Sequence, residues 1–351
     1  MHTKLRHIRF AAYLLLVVSV LSVGLYAGSG DATETRHEYE AITGPAPSYG
    51  IGGEKVVLIK NWDFGTSGDS TITNQSVMNE HFQYHDQFGT FANGTKYGAY
   101  IVAPDEATAT KYMNKKQPVE SVNTDRPVRE FTENSLKTFV VPLDKAERVH
   151  PAEAKAGCGS FQAKWTLDRA GSHLGRDVIW ETRVRYKTAP YYWFAIWVAG
   201  HKWNRGAEID VIESFGYDNG GGHTNFDGRY WHSSGVGGNN ETNYHKNWAA
   251  GMAKYGFKDF DAGQWHVWTM LLRADDTFTV YLDGKPVQNG KMPWTLKAVP
   301  DGEPLNMSFI FDGAWGHREV KSVNHWLDAA ALKDLVYEWD YSRVYLSEKG
   351  D

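Results

Sequence analysis

Between residues 206 and 216 the chain reads GAEIDVIESFG, which places Glu208, Asp210 and Glu213 within six residues. The spacers Ile209, Val211 and Ile212 are all β-branched and apolar, so the segment reads as a strand. Alternate residues of a strand share a face, and Glu208 therefore points the same way as Asp210. Position 212 should come next, yet it is Ile, and the third acid stands one residue further on. One extra residue in a β-bulge returns Glu213 to the acidic face and leaves Ile209 and Val211 toward the core.

Such a strand can be a solvated face, a calcium site or a catalytic centre. Like charges adjacent on one face destabilise a sheet unless something uses or neutralises them, and no Lys or Arg is interleaved at 209–212. Calcium is usually held by loops offering backbone carbonyls, not by a β-branched strand. Paired carboxylates suit acid–base work on a glycosidic bond. Four strand steps of roughly 3.3 Å set the two glutamate backbones ~13 Å apart. If each side chain leans inward by ~4 Å, the carboxyl groups approach to ~5–6 Å. That is the spacing of a retaining glycosidase, whereas an inverting one needs ~6.5–9.5 Å.

The surrounding elements are strand-like as well. KVVLIK, SLKTFVV, VIWETRVRY, YYWFAIWVA, WHVWTMLLR and TFTVYLDG recur between Gly, Asn and Asp clusters. Many short strands separated by turns predict an all-β antiparallel sandwich or barrel. Helical character is confined to residues 248–256 and 327–335. At the N-terminus, Lys4, Arg6 and Arg9 precede an apolar run from Ala11 to Ala27, the pattern of an export signal. The run is slightly short for a membrane span, so a retained anchor is the alternative. Residues 1–27 are thus read as signal peptide, 28–50 as a Gly- and Pro-rich linker, and 51–348 as one domain.

Composition narrows the function classes. A net charge of −5 without a basic stripe gives no basis for a nucleic-acid partner. The lone Cys158 excludes an intrachain disulfide and any multi-cysteine zinc site. The 14 His form no metal-binding spacing, so catalysis is expected to need no metal or cofactor, with a structural calcium ion left open. Aromatic residues reach 14%, more than a core alone explains, and flat rings with a polar edge suit sugars.

Taken together these segments resemble glycoside hydrolase family 16, in the branch whose active-site strand reads Glu-x-Asp-x-x-Glu. YWFAIWVAG (192–200) resembles the strand just upstream, and WHVWTMLLRADDTFTVYLDGKPV (265–287) the paired strands ending in an Asp-Gly hairpin. PLNMSFIFDGAWG (304–316) and YEWDYSRVYLS (337–347) resemble the closing strands. The resemblance implies a concanavalin-like jelly roll of two curved antiparallel sheets with an open polysaccharide cleft. It makes Glu208 the nucleophile, Glu213 the acid/base and Asp210 the residue that orients the nucleophile. Trp197 and Trp203 become candidate sugar platforms; Trp193, Arg205, Trp231 and His232 are further candidate substrate contacts. The implied protein is a secreted, monomeric retaining endo-glycosidase whose partner is its polysaccharide. A β-1,3- or mixed-linkage glucan is the expected substrate. An algal galactan is the alternative, since Lys202, Arg205 and Arg229 offer cations for sulfate. A sugar-binding lectin is the non-catalytic reading.

Overall fold

Alternation of apolar and polar residues does fold this chain into strands. The computed structural model describes residues 39–53, 55–84, 99–103, 121–123, 129–139, 148–151, 156–157, 161–168, 176–186, 192–200, 208–214, 230–233, 239–242, 256–257, 260–275, 277–291, 306–315, 327–328 and 336–348. All of them belong to one unit, His37–Asp351. The expected export segment, residues 1–27, lies outside the described residues. Among those residues no helix is long and apolar enough to cross a membrane.

The elements in chain order begin with β1 (Val56–Asp63), α1 (Gln75–His81), β2 (Phe82–Tyr84), β3 (Ala99–Ala103) and β4 (Ser121–Asn123). Next come β5 (Arg129–Phe131), β6 (Leu136–Phe139), β7 (Arg148–Pro151), β8 (Ala156–Gly157) and β9 (Phe161–Asp168). The middle of the chain supplies β10 (Val178–Tyr186), β11 (Tyr192–Gly200), β12 (Glu208–Ser214), β13 (Tyr230–Ser233) and β14 (Asn239–Thr242). It closes with β15 (His266–Leu272), β16 (Thr277–Leu282), β17 (Lys285–Lys291), β18 (Asn306–Trp315), β19 (Leu327–Asp328) and β20 (Val336–Ser347).

Two large antiparallel sheets result, the jelly-roll sandwich expected from the sequence. One has eight strands in the order β17-β16-β15-β10-β20-β6-β5, with β1 paired to the far half of β20. The other has six, β12-β11-β18-β9-β2, with β8 on the end of β18. Two smaller sheets, β13-β14 and β19-β7-β3-β4, complete the described pairing. Between the large sheets lies an aromatic core. Trp180 of β10 meets Phe309 and Phe311 of β18 edge-on at 4.9 and 5.6 Å, and Trp339 of β20 meets Phe311 at 4.8 Å. Each such pair adds about 0.5–1.5 kcal/mol beyond its burial, which fixes β18, and β11 beside it, over the eight-stranded sheet.

Residues 28–50, read as a linker, are described from Tyr39 onward, and there the chain lies against the eight-stranded sheet. Ile42 N–H donates to Leu58 O at 2.8 Å, and Ile51 packs with Leu58, Ile179, Leu271 and Tyr345. Beneath this strap Glu181 is fully buried. Its carboxylate accepts from Ser48 N–H (2.8 Å), Ser48 Oγ (3.0 Å) and Tyr341 OH (3.0 Å). Burial pushes the Glu181 carboxyl up, and these donors oppose that rise. Gly and Pro thus signalled irregular backbone, not freedom from packing.

Helices differ from the expectation. Leu327 and Asp328 form strand β19 against β7, while 248–255 and 329–335 lie outside the described residues. The described helix is α1, capped by Asn74, whose side chain accepts from the N–H groups of Ser76 (2.9 Å) and Val77 (3.1 Å). The Asp-Gly hairpin is present between β16 and β17: Asp283 and Gly284 have φ of 46° and 77°, as a two-residue type I′ turn requires. A Cβ on Gly284 would stand 2.7 Å from the ring of Tyr49 on the strap. Gly284→Ala is therefore expected to cost about 1–2 kcal/mol, read as a fall of a few degrees in thermal midpoint. Because the Tyr49 Cβ would also stand 2.9 Å away, only a Tyr49→Gly background should shrink the loss to the backbone part alone; an equal loss in both backgrounds contradicts the contact.

Candidate active site

Among the described residues β12 is the terminal strand of the six-stranded path and pairs with β11. Their register sets the geometry. Glu208 pairs with Ala199, Ile209 with Val198 and Asp210 with Trp197; then Ile212 pairs with Ile196 and Glu213 with Ala195. Val211 has no partner in this register. It is the extra residue of a bulge, placed where the acid spacing required one.

The bulge decides which side each residue takes. Ile209, Val211 and Ile212 are all in the inter-sheet core, together with Phe194, Ile196 and Val198 of β11. Two consecutive residues, 211 and 212, thus face the same way, which a regular strand forbids. Asp210, 3% exposed, stands outside that core cluster, as do its cross-strand partner Trp197 and Ala195. By alternation positions 208, 210 and 213 share the face opposite the core. On β11 four regular steps, Ala195 to Ala199, separate the partners of the two glutamates, equivalent to ~13 Å.

The neighbours across the strand are chemically informative. They are Ala199, Trp197 and Ala195, none of them basic. Elsewhere the eight-stranded sheet pairs its carboxylates: Arg183 meets Asp340, Arg185 meets Glu338 at 2.8 Å, and Arg343 meets Asp63 at 2.7 Å.

The other candidates are placed to different degrees. Trp197 is only 2% exposed, so the open sugar platform expected there is not presented; the ring lies in one row with Asp210 and Ile310, inside the sheet's width. Trp193 occupies β11 opposite Ala314. Trp231 and His232 sit on β13, opposite Glu241 and Asn240 of β14, and β13 runs close to β12. Trp203 and Arg205 lie outside the described residues, as do Lys202 and Arg229. Among the described residues no group of three or more His, Cys, Asp or Glu could hold a metal ion. One acid was passed over in the sequence: Asp312 of β18 pairs with Ala195. The signal was present, because Phe309 and Phe311 take the core-facing phase and leave position 312 in the outward one.

Neither a protein-family model nor a curated protein sequence matches the chain. Solved structures do. An endo-1,3-β-glucanase from Streptomyces sioyaensis aligns over 87% of this chain and 100% of its own, with 14% identity and a TM-score of 0.50. A non-specific endo-β-1,3(4)-glucanase of family GH16 aligns over 89% of this chain and 95% of its own, at 16% identity and a TM-score of 0.47. For β-agarase A in complex with oligoagarose the values are 62% and 75%, with 14% identity and a TM-score of 0.40. The likeness to the Streptomyces enzyme is one of fold.

The bulge makes two deletions distinguishable. Removing Val211 restores regular pairing with every acid on its present face, so the variant should fold and lose about 1–3 kcal/mol with the buried side chain. Removing Ile209 instead sends Glu208 to a core-facing position, and a carboxylate there costs several kcal/mol. Thermal melts should show a cooperative transition for the first deletion and none for the second. The reverse order would mean that Val211 is not the extra residue.

Proposed function

We propose that this chain is a retaining endo-glycosidase of the family 16 type that cleaves internal β-linkages of a polysaccharide. The observation that carries the reading is the bulge of β12, which gives three acid positions one face. Glu208 is the nucleophile: its carboxylate oxygen attacks the anomeric carbon as the bond to the leaving sugar breaks. Glu213 donates its proton to the departing oxygen, leaving a glycosyl–enzyme ester. A water molecule, deprotonated by Glu213, then attacks the same carbon and releases Glu208, so the anomeric configuration is retained. Asp210, between them, orients the nucleophile and helps keep the proton on Glu213, since neighbouring negative charge raises a carboxyl's proton affinity. The three acids titrate as a coupled set.

The proposed substrate is a neutral β-1,3- or mixed β-1,3/1,4-glucan, the class named for the two glucanases of similar fold. Export and action as a monomer belong to the same proposal. Digestion of laminarin, lichenan, agarose, porphyran and carrageenan tests it. Products from the first two are expected, and turnover of a sulfated galactan alone would replace the substrate. Proton NMR of the earliest products should show the retained anomer, and an inverted one removes the nucleophile role from Glu208.

Glu208→Ala is expected to lower turnover at least about a thousandfold, ~4 kcal/mol of barrier, with glycosyl azide formed when azide fills the gap. Glu213→Gln should slow polysaccharide cleavage about 10²–10⁴-fold while sparing the first step on an aryl glycoside whose phenol departs without protonation. Equal losses on both substrates at every pH would show that Glu213 is not the proton donor.

A further inference from the structure

The register that places Glu213 also brings in an acid from a third strand. One cross-strand row runs Glu213 on β12, Ala195 on β11 and Asp312 on β18. Directly opposed residues of antiparallel strands share a face, and for this row it is the face away from the core. Phe309 and Phe311 belong to the inter-sheet core cluster, whereas Ala195 and Ile310, although buried, stand outside it. Ala195 carries only a methyl group and is fully buried, so no large β11 side chain stands between the two acid positions. Two strand spacings of about 4.8 Å put the backbones ~10 Å apart. The neighbouring rows are different: Asp210, Trp197 and Ile310 in one, Glu208, Ala199 and Ser308 in the next. Only the Glu213 row has a carboxylate at each end.

We infer that Asp312 is a positioning residue whose negative charge holds the proton on Glu213. The inference rests on the reading of Glu213 as proton donor. Other titratable positions near it are Glu208 and Asp210 on β12, and His232 on β13, which runs close to β12. The outward positions of β11 add none. Asp210 acts from within the same strand. Asp312 acts from the far side of Ala195, so its effect is separable from theirs.

The test uses the full chain labelled with carboxyl-¹³C glutamate, the Glu213 resonance being identified by its absence in Glu213→Gln. Asp312→Asn is expected to lower the Glu213 titration midpoint by roughly 0.3–1 unit, and the difference should shrink as salt rises. Asp312→Glu keeps the charge and should restore the midpoint; Asp312→Ser serves if the Asn variant fails to fold. The basic limb of polysaccharide turnover should move to lower pH in step, because a weaker hold on the proton empties the donor sooner, while the acidic limb moves less. A midpoint unmoved by Asp312→Asn, or moved equally by Asp312→Glu, overturns the inference. If the wild-type chain cleaves no polysaccharide yet the midpoint shifts as stated, the glycosidase reading fails and the pairing of Asp312 with Glu213 stands.

Discussion

Everything distinctive about the acidic face depends on one unpaired residue. A strand alternates strictly, so three acids spaced two and three residues apart cannot share a side unless one residue is removed from the count. Val211 is that residue, and what holds the bulge is the core. Val211 and Ile212 are 1% and 0% exposed, and each contributes about 1.5–3 kcal/mol by its burial. The alternative, a regular strand with Glu213 turned inward, buries a carboxylate among Phe194, Ile196 and Val198. The apolar side of β12 therefore decides where its polar side points.

That decision is transmitted by stiffness elsewhere. β12 hangs on β11, β11 on β18, and β18 is locked over the other sheet by the rings of Trp180, Phe309, Phe311 and Trp339. The eight-stranded sheet is braced in turn from outside, where the strap places Ser48 on Glu181. On the eight-stranded side carboxylates meet arginines or hydroxyls; on the β12 side their cross-strand neighbours are alanine and tryptophan.

What the sequence could reveal follows from the range of each signal. Period-two alternation is local, so β10, β11, β12, β15 and β16 were legible, and the left-handed demand of Asp283-Gly284 marked its hairpin. The bulge was legible because Ile212 breaks the phase of two acids within one strand. The strap was not, since its meaning depends on Glu181, more than a hundred residues away. Burial of Trp197 was equally hidden: an aromatic outward on its own strand can still be covered by neighbours. Asp312 needed the order β12-β11-β18, which no local pattern contains. The short helix α1 escaped because one capping Asn and seven residues give too little periodicity to outweigh the strands around them.

The energetic balance of β12 suits the proposed chemistry. Acids two positions apart on one face sit ~6.6 Å apart along the backbone, and their repulsion is roughly 0.6–2.5 kcal/mol across the range of surface dielectrics. Burial of Ile209, Val211 and Ile212 offsets that cost in the folded state, so the strand can hold a concentration of negative charge that it would not adopt alone. In the proposed reaction, acids held on one strand would not need to reorganise when positive charge develops beside them, and fixed charge aimed at the developing charge is the most effective electrostatic contribution to a rate. An oxocarbenium-like sugar is such a species.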